Sequence, residues 1–180
     1  CANHGYDITF LSNRIGKKEV TYREHCIARN LDGLLLAVGM ENLPPERTEQ
    51  FEELLQLSMP KVSVEGFHRG VPTVVSNNPA GAQSALDYLY ELGHRNIGII
   101  TVTGENEASI QRLNGYRQFL KNHALPERSE LIFPARSYSY EAGEEIADAV
   151  SSHPELTAVF CIYDEISLGL IAGLRRRGIE

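Results

Sequence analysis

Two carboxylates stand where sheet proteins gather their ligands. Asp164 follows the apolar run Ala158–Ile162, and Glu65 ends the run Lys61–Val64; in open α/β sheets the ligand crevice lies at the carboxyl ends of the strands. Either group could accept from a hydroxyl. Arg112, one turn before Gly115-Tyr116, carries a planar fork that can grip vicinal hydroxyls or a carboxylate bidentately, though a helix arginine is ordinarily a surface residue. Asp164 also has a plain role, because a carboxylate at a helix start caps free amides and offsets the dipole. The two roles are compatible. This is the chemistry of holding a small molecule rather than of breaking it.

Catalytic signatures are missing. The chain has no G-x-G-x-x-G, no phosphate-binding P-loop and no G-x-S-x-G elbow. Glu52-Glu53 and Glu144-Glu145 are adjacent on helical stretches, so each pair diverges and reads as a solvated face. Six histidines are scattered with no i, i+4 pair and no cysteine at metal spacing. No metal and no cofactor are expected. His94, after Gly93, is expected to bond locally, and Arg175-Arg176-Arg177 reads as a solvated helix end complementing its dipole.

The elements that must position these groups alternate. Strands are expected at Tyr6–Leu11, Gly33–Val38, Lys61–Val64, Thr73–Val75, Ile97–Thr101, Leu131–Phe133 and Ala158–Ile162. Helices are expected at Val20–Arg29, Glu46–Leu57, Ala80–Leu92, Ser109–Asn122, Tyr140–Ser151 and Glu165–Arg177. The plainest unit runs from Asn77 to Thr101. Asn77 or Asn78 can cap, Pro79 suits the first turn, and Ala82, Leu86, Leu89 and Leu92 form one stripe. Gly93 then stops the helix, and Ile97, Ile99 and Ile100 read as a strand buried on both faces. Such alternation implies parallel sheets covered by helices with right-handed crossovers.

The 180 residues are 42% hydrophobic and 23% charged, ordinary for a globular chain with a real core. No apolar run reaches the roughly 18–20 residues of a membrane span. Nothing at the start reads as a signal peptide. Three distant cysteines argue against a disulfide framework and for a reducing cytoplasm. A net charge of −7 suits a phosphate backbone poorly.

The wording of several segments is that of a known family. NNPAGAQSALDYLYELGHRNIGII, GYDITFL, NLDGLLLAVG, PKVSVE, RLNGYRQFL, SYSYEAGEE and AVFCIYDEISLGLIAGLRRRGI occur in that family's order. Together they resemble the effector-binding domain of LacI/GalR transcription regulators over essentially the whole chain. The resemblance implies an α/β fold of the type I periplasmic-binding-protein kind, with two similar lobes of parallel sheet: residues 1–76 and 77–180. It implies a small effector, a sugar or related polyol, between the lobes, with a purine-like effector as a variant that Tyr163 could stack upon. Arg112 matches the family's cleft arginine and Tyr138 the aromatic that packs on the ligand, where sugar C–H groups meet a ring face; core or loop packing is its plain alternative. Tyr140, two residues on, is expected to pack. Tyr163 replaces an asparagine common in the family, which changes one polar contact. Asp164 and Glu65 complete the main ligand set, and Gly39, Met40, Ser12 and Asn13 end other strands as lesser candidates.

The implied protein is a cytoplasmic homodimer that binds operator DNA through a separate N-terminal helix-turn-helix domain. Neither an enzyme nor a membrane protein is expected. A periplasmic sugar-binding protein of the same fold is the alternative, and it would need a secretory signal upstream. An enzyme on a doubly wound sheet is a further one, since fold alone does not fix function. The first residues read as the last turn of a helix stopped at Gly5, and the chain ends just past another helix. The reading therefore expects a piece truncated at both ends. Arg112→Ala is expected to abolish effector-induced thermal stabilisation while leaving the unliganded melting point nearly unchanged.

Overall fold

The computed structural model describes residues 4–12, 14–15, 18–37, 45–66, 68–103 and 107–179. The chain divides into two units, Cys1–Val75 and Ser76–Glu180.

In the first unit, β1 (Arg14–Ile15) and β2 (Lys18–Glu19) form a short antiparallel pair that the sequence did not suggest. Helix α1 (Tyr22–Ala28) begins two residues later than the apolar pattern implied. Thr21 closes a capping box there: its hydroxyl accepts from the Glu24 amide at 3.1 Å, and its own amide donates to the Glu24 carboxylate at 2.8 Å. Strand β3 (Leu34–Leu36), helix α2 (Pro45–Leu55), β4 (Lys61–Val64) and β5 (Thr73–Val74) follow. The strands form a parallel sheet in the order β3-β4-β5. Cys26, Leu34, Leu36, Phe51 and Leu54 make its core.

The run Tyr6–Leu11 is not a strand. It has no regular structure, and Tyr6, Ile8 and Phe10 are 68%, 60% and 90% exposed. Alternating apolar residues become a strand only when a neighbour accepts the ladder hydrogen bonds. Among the described residues this run has no ladder partner.

The second unit is built around β6 (Ile97–Val102), preceded by α3 (Asn78–Glu91). Asn77 caps α3 by accepting from the Ala80 amide at 3.3 Å, and Gly93, at φ +98°, follows its end as expected. Of the stripe, Ala82 and Leu86 are buried, whereas Leu92 is exposed at the helix end. Helix α4 (Glu107–Asn122), β7 (Ile132–Ala135), α5 (Tyr140–Ser151), β8 (Ala158–Cys161) and α6 (Asp164–Arg175) complete the unit.

The strands are parallel in the order β7-β6-β8, with Ile99 opposite Ile132 and Phe160, and Ile100 opposite Phe133 and Cys161. Pro134 cannot donate to a ladder, which suits β7 to the edge. β6 lies in the middle and is buried almost throughout. Successive right-handed crossovers leave β6 in one direction and return past it in the other, placing α4 and α5 on opposite faces. α3 packs with α4 and α5 with α6. Tyr116, Phe119, Leu86, Ile97, Ile99, Ile100 and Ile166 are fully buried between these layers, and the Tyr116 hydroxyl donates to the Ile97 carbonyl at 2.8 Å. Burial pushes that phenol's pKa up to about 12. Among the described residues no helix is long and apolar enough to cross a membrane.

Three smaller expectations gain detail. Residues 175–177 are exposed as expected, and Arg176 and Arg177 also pair with Glu144 at 2.6 Å and Asp148 at 2.5 Å on α5. Glu145 lies on a solvated face as expected, where it pairs with Arg136 at 2.5 Å. Such exposed pairs contribute little to stability, because water and salt screen them. His94 bonds locally through its amide, which donates to the Leu89 carbonyl at 3.1 Å, while its ring lies 3.1 Å from the hydroxyl of Thr157, far along the chain.

Candidate functional site

At the carboxyl end of the second sheet lies a recess of about 450 Å³, lined within the second unit by the start of α3, by Arg112 and by the segment Phe160–Asp164. Three structural facts build it. Asn77 starts α3 and so fixes Ser76, Asn77 and Asn78 at one wall. α4 then crosses α3 closely at Gly115, where an added Cβ would stand 2.8 Å from both the Ala82 Cβ and the Pro79 carbonyl. Only a glycine allows that approach, and it brings Arg112, one turn earlier, onto Asn78. The third wall is the exit of β8, where Ile162 continues the ladder by donating to the Ile100 carbonyl at 3.2 Å before α6 begins.

Arg112 is held at two nitrogens. Its Nε donates to Asn78 Oδ1 at 2.9 Å and its Nη1 to the Ile162 carbonyl at 2.6 Å. The side chain is half-buried, and its charge is therefore both anchored and available at the recess.

Tyr163 and Asp164 line the same recess. Asp164 is not the helix cap. Helix α6 starts at Asp164 itself, and Tyr163 occupies the cap position without a side-chain capping bond. The sequence pointed to Asp164 because aspartate is a preferred cap and tyrosine is not, and only the backbone angles show that the helix starts one residue earlier. Asp164 remains in the first turn, where its carboxylate complements the dipole. Tyr163 is 43% exposed, and its ring meets Tyr138 edge-on at 5.5 Å. Tyr138 is tied down at its phenolic end. Its hydroxyl lies 2.7 Å from the buried Ser109 hydroxyl, so α4 holds the ring that backs Tyr163. Tyr140 begins α5, and its ring is not part of the recess.

Cys161 also lines the recess, and burial raises its thiol pKa, partly offset by a hydrogen bond with Ser167. A raised thiol is a poor nucleophile. No group of three or more His, Cys, Asp or Glu among the described residues is placed to hold a metal ion.

The other candidates lie in the first unit. Glu65 directly follows β4, is exposed, adopts φ +60° and donates its amide to the Val74 carbonyl at 3.0 Å. The Ser12 carbonyl accepts from His25 Nδ1 at 3.0 Å. Asn13, Gly39 and Met40 lie outside the described residues. Asn78, Phe160 and Ser109 went unnoticed in the sequence. For Asn78 a signal existed: of two adjacent asparagines before Pro79 only one can cap, which frees the other for a different partner.

Residues 1–180 match the family described as periplasmic binding proteins and the sugar-binding domain of the LacI family. The HTH-type transcriptional repressor CytR of Escherichia coli strain K12 is 32% identical over 185 residues, covering 99% of this chain and 52% of that protein. The HTH-type transcriptional regulator DegA of Bacillus subtilis strain 168 is 28% identical over 166 residues, covering 91% of this chain and 48% of that protein. The chain thus spans about half the length of the curated relatives it matches. A transcription regulator from Lactobacillus plantarum superposes with a TM-score of 0.77 at 24% identity, over 99% of this chain and 65% of that one. A LacI-family regulator from Enterococcus faecium with bound ribose gives 0.69 at 21%, over 87% and 57%. At these identities the structural likeness speaks to fold, a type I periplasmic-binding-protein-like arrangement.

Proposed function

The chain belongs to the family of periplasmic binding proteins and LacI-type sugar-binding domains, and on that premise we propose that it is the effector-sensing part of a transcription regulator. The effector is a small polyhydroxylated molecule, a sugar or related polyol, held at the recess of residues 76–180. The single observation that carries this is the convergence of Arg112, Tyr163 and Asp164 on that recess. A cationic fork, a ring face and a carboxylate together suit vicinal hydroxyls above a C–H face. Tyr138 supports the ring from behind. The named relatives are transcriptional regulators rather than enzymes. The ribose in the Enterococcus faecium structure is that protein's ligand, and it makes a pentose a sensible first probe here.

In this reading the protein is a cytoplasmic homodimer that contacts operator DNA through a separate helix-turn-helix domain. The effector shifts it between DNA-binding and released forms by binding one form more tightly, with a coupling of typically 1–3 kcal/mol. The test uses the full-length protein against monosaccharides, polyols and nucleosides, scored by thermal stabilisation and by operator binding. One compound should stabilise by about 2.7 kcal/mol at a hundredfold excess over its dissociation constant and also change DNA affinity. Stabilisation without any change in DNA affinity in a monomeric protein would favour a transport protein instead.

A further inference from the structure

Arg112 alone cannot set its own orientation. A long side chain with four rotatable bonds presents its fork usefully only when something holds the plane. Its two anchors differ in kind. The Ile162 carbonyl is main chain and is present whatever residue stands there. Asn78 is a side chain, 6% exposed, whose presence the capping of α3 does not explain, since Asn77 makes that bond.

The amide of Asn78 is itself oriented. Arginine only donates, so the atom facing Nε must be the carbonyl oxygen. The Nδ2 group then donates to the Ser76 carbonyl at 3.4 Å and to Gln111 Oε1 at 3.3 Å, while Gln111 donates to Glu107 at 2.9 Å. Every hydrogen-bonding atom of Asn78 is committed in one sense, and the fork of Arg112 is fixed at Nε and Nη1 as a result. So held, Arg112 lines the recess.

We infer that Asn78 is a positioning residue: from the first turn of α3 it locks the plane of the Arg112 guanidinium so that the fork is presented to the effector bound at the recess. This rests on the proposed function for the effector, but not for the anchoring. A residue that merely packed the α3–α4 seam would need neither a carbonyl oxygen nor this polarity. Aspartate keeps the acceptor in the same place, and leucine keeps roughly the volume without it.

Full-length protein labelled with 15N-arginine gives the direct readout, with Arg112→Lys identifying the resonance. In the wild type and in Asn78→Asp the Arg112 Nε–H signal should be slowed in solvent exchange, and in Asn78→Leu it should exchange about tenfold to a hundredfold faster, as for loss of a hydrogen bond to a charged group. If leucine prevents folding, Asn78→Ser, whose hydroxyl stops short of Nε, is read in the same way. Protection that survives in the leucine or serine variant overturns the inference, and so does protection lost equally with aspartate. Titration with D-ribose adds the functional half. The leucine variant should bind it at least about tenfold more weakly than wild type, and undiminished binding with a freed Arg112 overturns the positioning role. D-ribose inert towards the wild type, with the exchange pattern intact, counts against a pentose effector while leaving the anchoring of Arg112 established.

Discussion

Replacing Arg112 with alanine should destabilise the protein even with no ligand present, contrary to what its position on an exposed-looking helix suggested. The change removes the donor to Asn78 Oδ1 and the donor to the Ile162 carbonyl, which belong to residues only 6% and 3% exposed. A buried acceptor left without its donor costs roughly 1–3 kcal/mol, giving an upper figure near 6 for the two. Arg112 is half-buried, however, so water can follow the truncated side chain in and recover part of this. The net loss is therefore about 2–3 kcal/mol. For a unit of this size, that lowers the melting temperature by on the order of 10 °C. Scanning calorimetry is the suitable assay, because two units need not unfold together. Arg112→Lys should recover little, since an ammonium group lacks the fork that reaches both acceptors. A transition for residues 76–180 within ~0.5 kcal/mol of wild type, the range of ordinary surface changes, would refute the reasoning. Arg112 would then be a ligand group alone.

Two further substitutions probe how the site is held. Gly115→Ala places a methyl 2.8 Å from the Ala82 Cβ and the Pro79 carbonyl; because main chain cannot yield as a side-chain tip does, it should cost about 1–3 kcal/mol. Its urea midpoint should fall, and an unchanged midpoint would mean that α3 and α4 separate freely. Thr21→Ala breaks the capping box of α1 and should cost about 1 kcal/mol, with Thr21→Ser close to wild type. Equal loss in both would show that the methyl group of threonine matters rather than its hydroxyl.

Much of the fold was legible because its signals are local. Asn77, Pro79 and Gly93 bound α3 through capping and backbone geometry that depend only on near neighbours, and the Ile97–Val102 strand announces itself by unbroken apolarity. Tyr6–Leu11 shows the limit. It has strand composition, yet a strand needs a hydrogen-bonding neighbour, and composition does not supply one.

The site was legible in its members but not in their roles. Arg112, Tyr163 and Asp164 were singled out by residue type, by place at strand ends and by resemblance, and the fold brings them to one recess. That Asn78 faces Arg112, that Ser109 holds the hydroxyl of Tyr138, and that Tyr163 rather than Asp164 takes the cap position all follow from contacts between residues distant in sequence or from backbone angles at one residue. By itself the sequence determined the α/β alternation, the helix stops and the chemical types available for binding, because each is set within a few residues along the chain. Only the tertiary structure decided which polar atoms are consumed by the protein and which remain for a ligand. A hydrogen bond is a matter of distance and direction in space, and the close crossing of α3 and α4 at Gly115 is what turns two separate polar side chains into one anchored fork.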